Sequence, residues 1–330
     1  MIISRTPFRI SFVGGGTDLR SFYSKEPGQV LSTTINKYIY VVVKRQIGIV
    51  EHKFRINWSQ VEFCDEVEDI KHPIVREALK LLNIDFPLEI TTFADVPAQT
   101  GLGSSSAFAV GLLHALYAIK GQMVTKYQLA SQAAEIEVDK LKRFMGKQDH
   151  FASAYGNFNV FSFTSDEVVN IDPVFSSKET VKELENNLIM FYTNLKRDAS
   201  EVLHLQTKAT EQKRKVLREM RNLVSPLREI LSRGDNLNEF GEVLNEAWKL
   251  KRTITPEITN TEIDLYYQKA IEAGAIGGKL LGAGGGGFLM FYVEKQNQKR
   301  VIDTLKELYH MQFALSSGGS RITYYDQTYI

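Results

Sequence analysis

Apolar and polar positions alternate in short runs through the first half of the chain and give way to a helical rhythm further on. Phe8, Ile10 and Phe12 alternate with Arg9 and Ser11, and residues 38–43 form a second β-rich run, so both predict strands. Leu88, Ile90 and Thr92 alternate with Glu89, Thr91 and Phe93, and beyond a loop residues 107–119 are mainly apolar and of helix length. The order there is strand, loop, buried helix. From about 196 to 252 the pattern is long, charged and helical; Lys213, Arg214, Lys215, Arg218 and Arg221 near Val216, Leu217 and Leu223 predict a solvated helix face. Strands at 187–192, 288–293 and 322–325 are assigned to a second domain. The expected boundary lies at 175–187, after the Asp172-Pro173 turn, giving domains 1–185 and 186–330. Neither a low-complexity linker nor an internal repeat separates them, so close packing of the two is expected.

At 330 residues the chain has room for two domains. Its 40 Lys and Arg against 39 Asp and Glu leave a formal charge of +1, which gives no global attraction to nucleic acid or an acidic membrane. An anionic ligand must therefore be captured locally. The single cysteine, Cys64, excludes an internal disulfide and a cysteine-based zinc cluster; its expected role is packing in a reducing compartment. With no signal-like or bilayer-length apolar segment, a cytoplasmic protein is expected.

Local capture has a candidate in Pro97-Ala98-Gln99-Thr100-Gly101-Leu102-Gly103-Ser104-Ser105-Ser106-Ala107. Gly101 and Gly103 permit tight or positive-φ backbone, and the first N–H groups of the following helix lack internal partners, so an anion fits there. The serines stand where a hydroxyl caps the helix or meets a phosphate-bound metal. The loop is neither a Walker A sequence nor Gly-x-Gly-x-x-Gly. The alternative is a capped core helix after a turn.

Three further segments carry chemistry. Strand residues Phe8 to Phe12 end in Gly14, Gly15, Gly16, Thr17 and Asp18; Arg9 offers planar charge and Asp18 a two-oxygen acceptor for vicinal hydroxyls, unless Asp18 simply caps the turn. A helix starting at Thr125 puts Glu137 on the face of Ala130, Ala133, Ala134 and Leu141, and Glu135 on the polar face with Gln128, Ser131, Gln132 and Asp139. An inward carboxylate requires a cation, so Glu137 is the metal-ligand candidate, with an ordinary salt bridge as the alternative. At Gly146-Lys147-Gln148-Asp149-His150, Asp149 stands as an N-cap or as a general base toward an attacking hydroxyl, and His150 as a structural residue. Finally, residues 277–287 hold seven glycines before the apolar run at 288–293, read as a second glycine loop facing the first or as a tight contact between domains. Trp58, Phe54 and His72 are expected to be ordinary packing.

Together these segments, in this order over nearly the whole chain, resemble the GHMP kinase superfamily. The resemblance implies an α+β two-domain fold, with an N-terminal domain like ribosomal protein S5 domain 2 and a ferredoxin-like C-terminal domain, and the site between them. It implies ATP and Mg²⁺; Asp149 as catalytic base with Arg9 near the reacting hydroxyl; Gly101, Leu102, Gly103, Ser104, Ser105, Ser106, Gly284 and Gly285 around the nucleotide; and Ser104 or Ser105 with Glu137 on the metal. Gly15, Gly16, Thr17, Asp18 and Arg197 would meet a sugar. Gly15-Gly16 stands where galactokinases carry Glu-His, which argues against galactose and leaves room for a longer sugar. Within the superfamily the motifs are most similar to bacterial D-glycero-D-manno-heptose 7-phosphate kinases, which implies phosphorylation of an anomeric hydroxyl for surface polysaccharide synthesis. A distal phosphate would need a cation from among Lys140, Lys142, Arg143, Lys147 and Arg197. The expected partner is a small-molecule sugar phosphate, with neither nucleic acid nor membrane and with a homodimer admissible. Alternatives are a fucose-type kinase and a non-catalytic sugar sensor; the glycine spacing disfavours a nicotinamide dehydrogenase.

Overall fold

Two long antiparallel strands, β1 (Ile2–Val13) and β2 (Gly28–Arg45), form the spine of the molecule. The computed structural model describes residues 1–195 and 199–326. Phe8, Ile10 and Phe12 are fully buried, as their alternation predicts; Arg9 and Ser11 on the other face are buried as well, because that face packs against Gln148, Asp149 and the loop at Gly101.

β2 extends well past the predicted run at 38–43. Its first half pairs with β6 (Asn159–Phe163) and its second half with β5 (Leu88–Ala94). With β3 (Phe54–Asn57), β4 (Val61–Cys64), β7 (Val169–Pro173), β12 (Leu315–Ser316) and β13 (Arg321–Tyr325) this sheet runs β13-β1-β2-β5-β3-β4, with β6 and β12 on other stretches of β2 and β7 on β6. The apolar helix Ser104–Ile119 lies against it, buried on nearly every side. Ser4 Oγ on β1 donates to Gly111 O at 2.7 Å, so helix and sheet touch backbone-close.

The second sheet comprises β8 (Leu188–Tyr192), β9 (Gly277–Leu280), β10 (Phe288–Tyr292) and β11 (Tyr309–His310), antiparallel in the order β11-β8-β10-β9. Helices connect β8 to β9 and β10 to β11, which is the ferredoxin-like arrangement. Period-two side chains give the sheet two apolar faces: Leu188, Met190, Phe288 and Met290 join the core of the first sheet, while Ile189, Phe191, Leu289 and Phe291 join a second core under the helices. The changeover between sheets falls across the helix Lys178–Asn187.

Two expectations are corrected. The strand assigned to the second domain at 322–325 belongs to the first sheet: β13 (Arg321–Tyr325) pairs with β1, and β12 (Leu315–Ser316) pairs with β2. The outer edge of β1 would otherwise leave its N–H and C=O groups unpaired, and nothing in a five-residue strand marks which edge it will cover. The basic face near 213–221 is not wholly solvated either. Arg214, Arg218 and Arg221 converge on Glu26 across the domain junction at 3.5, 2.9 and 3.5 Å, and Arg214 also donates to Ser21 O and Phe22 O. Among the described residues, no helix is long and apolar enough to cross a membrane.

Candidate active site

The loop between β5 and the helix Ser104–Ile119 owes its path to two glycines. Gly101 has φ +82°, and a Cβ there would overlap Leu281 O from the second domain; Gly103 has φ +74° and serves as the helix N-cap with no side-chain bond. The helix therefore starts three residues before the predicted 107, and the serines occupy its first turn instead of capping it. Ser106 is buried, and among the described residues its hydroxyl has no partner, whereas Ser104 and Ser105 remain partly open.

Gly103 sits directly over Arg9 and Asp149. A Cβ on it would stand 3.1 Å from Asp149 Oδ2 and 3.3 Å from Arg9 Nε. Arg9 Nε and Nη2 each donate at 2.6 Å to the two carboxylate oxygens of Asp149, and Nη1 donates at 2.6 Å to Gly101 O. One planar fork thus holds both the acid and the loop. Asp149 is the second residue of the helix Gln148–Tyr155 and not its N-cap, so its carboxylate is free of backbone capping.

Glu137 and Glu135 divide as their spacing predicts: Glu137 is fully buried, and Glu135 lies at the surface near Lys140 at 3.6 Å. Thr125 caps the preceding helix by accepting from Gln128 N at 3.1 Å, and the helix then widens into a π-helical turn, Glu135–Lys140. Glu137 Oε2 meets His150 Nε2 at 2.8 Å, both side chains fully buried, while Oε1 accepts from Ser105 Oγ and Arg143 Nη1. Burial by itself would raise the Glu137 carboxyl; His150, Ser105 and Arg143 outweigh it and hold the group below its ordinary range.

Two buried lysines, which the sequence reading did not single out as site residues, complete the surroundings. Lys279 Nζ donates at 2.7 Å to Ser11 O and to Phe12 O, and Lys251 Nζ donates to Gly282 O. Burial pushes Lys279 well below the ordinary ammonium value, with Lys251 and Arg9 adding repulsion; Lys251 is lowered to about 8 by burial and by Arg9, against the pull of Asp18 and Asp149. Lys279 lies inside the glycine motif, and a lysine amid apolar and glycine positions was the available signal.

The glycine motif does approach the 101–103 loop. Gly282 packs on Gly101 and Gly287 on Thr100, and Phe288 N donates to Thr100 O at 3.3 Å. Gly284 and Gly285 lie against Ile258, with Gly285 N donating to Ile258 O at 2.9 Å.

In the turn after β1, Asp18 is buried: Oδ1 accepts from Gly16 N at 2.9 Å and Oδ2 from Gln148 N at 3.4 Å, clasping the start of the Asp149 helix. Burial, then the charge of Asp149, raises its carboxyl. Thr17 is fully buried and spends its hydroxyl on Gly14 O and Gln29 O. Among the described residues a Cβ on Gly15 would touch Gln148 Nε2 at 3.5 Å, and one on Gly16, where φ is +98°, would crowd Leu217 Cδ2 at 3.1 Å. Of the cations considered for a distal phosphate, Lys140 pairs with Glu135, Arg143 with Glu137 and Lys147 with Glu167; Lys142 is exposed, and Arg197 lies outside the described residues.

With this geometry in place, the comparisons with known proteins are decisive. Residues 73–157 match the GHMP kinases N terminal domain, and residues 215–310 match the GHMP kinases C terminal domain. The chain is 30% identical over 320 residues to D-glycero-alpha-D-manno-heptose 7-phosphate kinase of Campylobacter jejuni, covering 93% of each. This chain belongs to the GHMP kinases. It shares their two-domain fold: the crystal structure of a D-glycero-D-manno-heptose 1-phosphate kinase from Bacteroides thetaiotaomicron aligns with TM-score 0.82 over 99% of this chain and 100% of that one, at 23% identity. Lactococcus lactis galactokinase in complex with galactose aligns with TM-score 0.75 over 97% and 94%, at 19% identity. As a GHMP kinase the chain is a phosphotransferase, and ATP is the family's phosphate donor.

Proposed function

We propose that this GHMP kinase transfers the γ-phosphoryl group of ATP to the anomeric C1 hydroxyl of D-glycero-D-manno-heptose 7-phosphate, giving the 1,7-bisphosphate for nucleotide-heptose and surface polysaccharide synthesis. The observation that carries the reaction type is the placement of the Arg9–Asp149 pair directly under Gly103, where a nucleotide phosphate held by the loop and an acceptor hydroxyl held by Asp149 would meet. The substrate rests on the Campylobacter relative and on Gly15-Gly16 standing where galactokinases carry two larger side chains. Use of ATP and the single cysteine both suit the cytoplasm.

In this mechanism the loop N–H groups and the Ser104 and Ser105 hydroxyls cradle the phosphates. Asp149 orients the C1 hydroxyl and takes its proton as the new O–P bond forms and the bond from the γ-phosphorus to the β–γ bridging oxygen breaks, releasing ADP; Arg9 keeps the carboxylate in position and faces the developing phosphoryl charge. Positioning supplies most of the rate, because the transition state of phosphoryl transfer is loose. Among the described residues no cluster of three or more His, Cys, Asp or Glu can cage a metal, and one carboxylate beside a hydroxyl is the donor set Mg²⁺ takes when phosphates complete its shell. Ser105 and Glu137 would hold it, since Ser105 is the serine whose hydroxyl meets Glu137. Bound there, Mg²⁺ would neutralise phosphate charge.

The test is ADP release by the purified protein across heptose 7-phosphate, unphosphorylated heptose, fucose, galactose and mevalonate, with ³¹P NMR of the product. Heptose 7-phosphate should exceed the others at least tenfold in kcat/KM, with phosphorus on C1. Preference for fucose would reassign the substrate within the family, and the absence of turnover with every acceptor would leave a sugar-binding relative.

A further inference from the structure

The Ser105–Glu137 pair is already engaged by a cation from the protein itself. Arg143 Nη1 lies 2.7 Å from Ser105 Oγ and also contacts Glu137 Oε1, so one guanidinium nitrogen covers both oxygens assigned to the metal. The two sides of this contact are held very differently. Glu137 is fully buried and fixed from behind by His150, whereas the Arg143 side chain is 34% exposed. Arg143 also sits in the segment after the π-helical turn that lacks helix or strand, next to Lys142 at φ +53°. Withdrawal of the guanidinium would leave Glu137 with its bonds to His150 and Ser105, so the carboxylate would not be orphaned. A guanidinium carries five N–H donors, and among the described residues none of those on Nε or Nη2 meets a protein acceptor.

A divalent cation and a guanidinium repel each other and compete for the same lone pairs, so both cannot sit on this oxygen pair. We propose that Arg143 is a cationic latch, closing Ser105 and Glu137 in the nucleotide-free enzyme and moving onto the nucleotide phosphates when the metal nucleotide arrives. The inference rests on the metal role given above to Ser105 and Glu137. It assigns Arg143 two successive partners: the buried carboxylate before binding and the phosphate oxygens after it. The latch keeps a buried acid compensated while the site is empty, and it makes metal binding depend on nucleotide.

The experiment is a Mn²⁺ titration of the nucleotide-free protein followed by electron paramagnetic resonance, with kcat measured separately. Removing one unit charge beside the ligands should tighten Mn²⁺ binding by about tenfold or more in Arg143→Met relative to wild type. Turnover should fall, because the phosphates lose a partner. Adding Glu137→Gln to Arg143→Met should abolish the gain. If Arg143→Met does not fold, Arg143→Gln, which keeps a donor for Glu137 and drops the charge, carries the same expectation. Equal Mn²⁺ affinity in wild type and the Arg143 variant, with Glu137→Gln weakening both, would refute the latch and leave the metal site standing. Unchanged affinity in Glu137→Gln would remove the metal role of Glu137 and the latch with it, while wild-type turnover on the acceptor panel reports on the kinase reading independently.

Discussion

Asp149 has little freedom of its own: both oxygens are taken by Arg9, and the helix that carries it is clasped through Gln148 N by Asp18. Such restraint suits a residue that must present one oxygen to a hydroxyl within a few tenths of an ångström. Replacing Asp149 by Asn keeps the volume and removes the proton acceptor, so kcat should fall by roughly 10²–10⁴. The Kd for ATP, measured by calorimetry, should stay within about twofold, because the loop proposed to bind phosphate is unaltered. Near-wild-type turnover in this variant would remove Asp149 from the role. Glu137 teaches a related lesson, since its inward face was legible from helical spacing while its partners His150 and Arg143 were not.

At the level of elements, the site depends on two glycine loops lying backbone to backbone. Gly101 faces Leu281 and Gly282 so closely that any side chain must push the loops apart, and its φ of +82° adds strain for an L-residue. Gly101→Ala should therefore lose on the order of 1–3 kcal/mol of stability and raise the KM for ATP, read by thermal melting and steady-state kinetics. An unchanged KM would mean that the loop positions nucleotide independently of the second domain. The first glycine loop was recognisable because glycine, serine and a following apolar helix form a local pattern. Which glycines of the second motif would meet it was not, because seven glycines within eleven residues give no sign of which one packs on Thr100 and which on Ile258.

Over the whole molecule, the C-terminus closes the first sheet and a charge cluster joins the domains. Ending the chain at Ser320 removes β13 and uncovers the outer edge of β1. Hydrogen exchange should then accelerate in β1, while β8 and β10 keep their protection; acceleration confined to the second sheet would contradict the topology. The cluster of Glu26 with Arg218, Arg214 and Arg221 makes the junction sensitive to acid. The Arg218 hydrogen bond, against a smaller opposing effect of burial, holds Glu26 below its ordinary 4.5. A depressed carboxylate stabilises the fold above its unfolded pKa and loses that contribution as pH falls through the folded one. Glu26→Gln should lower the melting temperature by on the order of 2 °C at pH 7, and the difference should shrink below pH 4.5. A difference that grows on acidification would contradict this sign.

Local physics alone determined a good part of this protein. Cap chemistry, helical spacing and the conformational range of glycine act over a few residues, so the glycine loop before a buried helix, the Thr125 helix start and the inward turn of Glu137 could all be read before any fold was known. Only the tertiary structure decided the partnerships: Arg9 finds Asp149 across 140 positions, Asp18 becomes a clasp, and the last strand returns to the first sheet. Burial and pairing of charges depend on which elements pack together, and carboxylates in similar local settings are separated only by what the folded chain brings beside them.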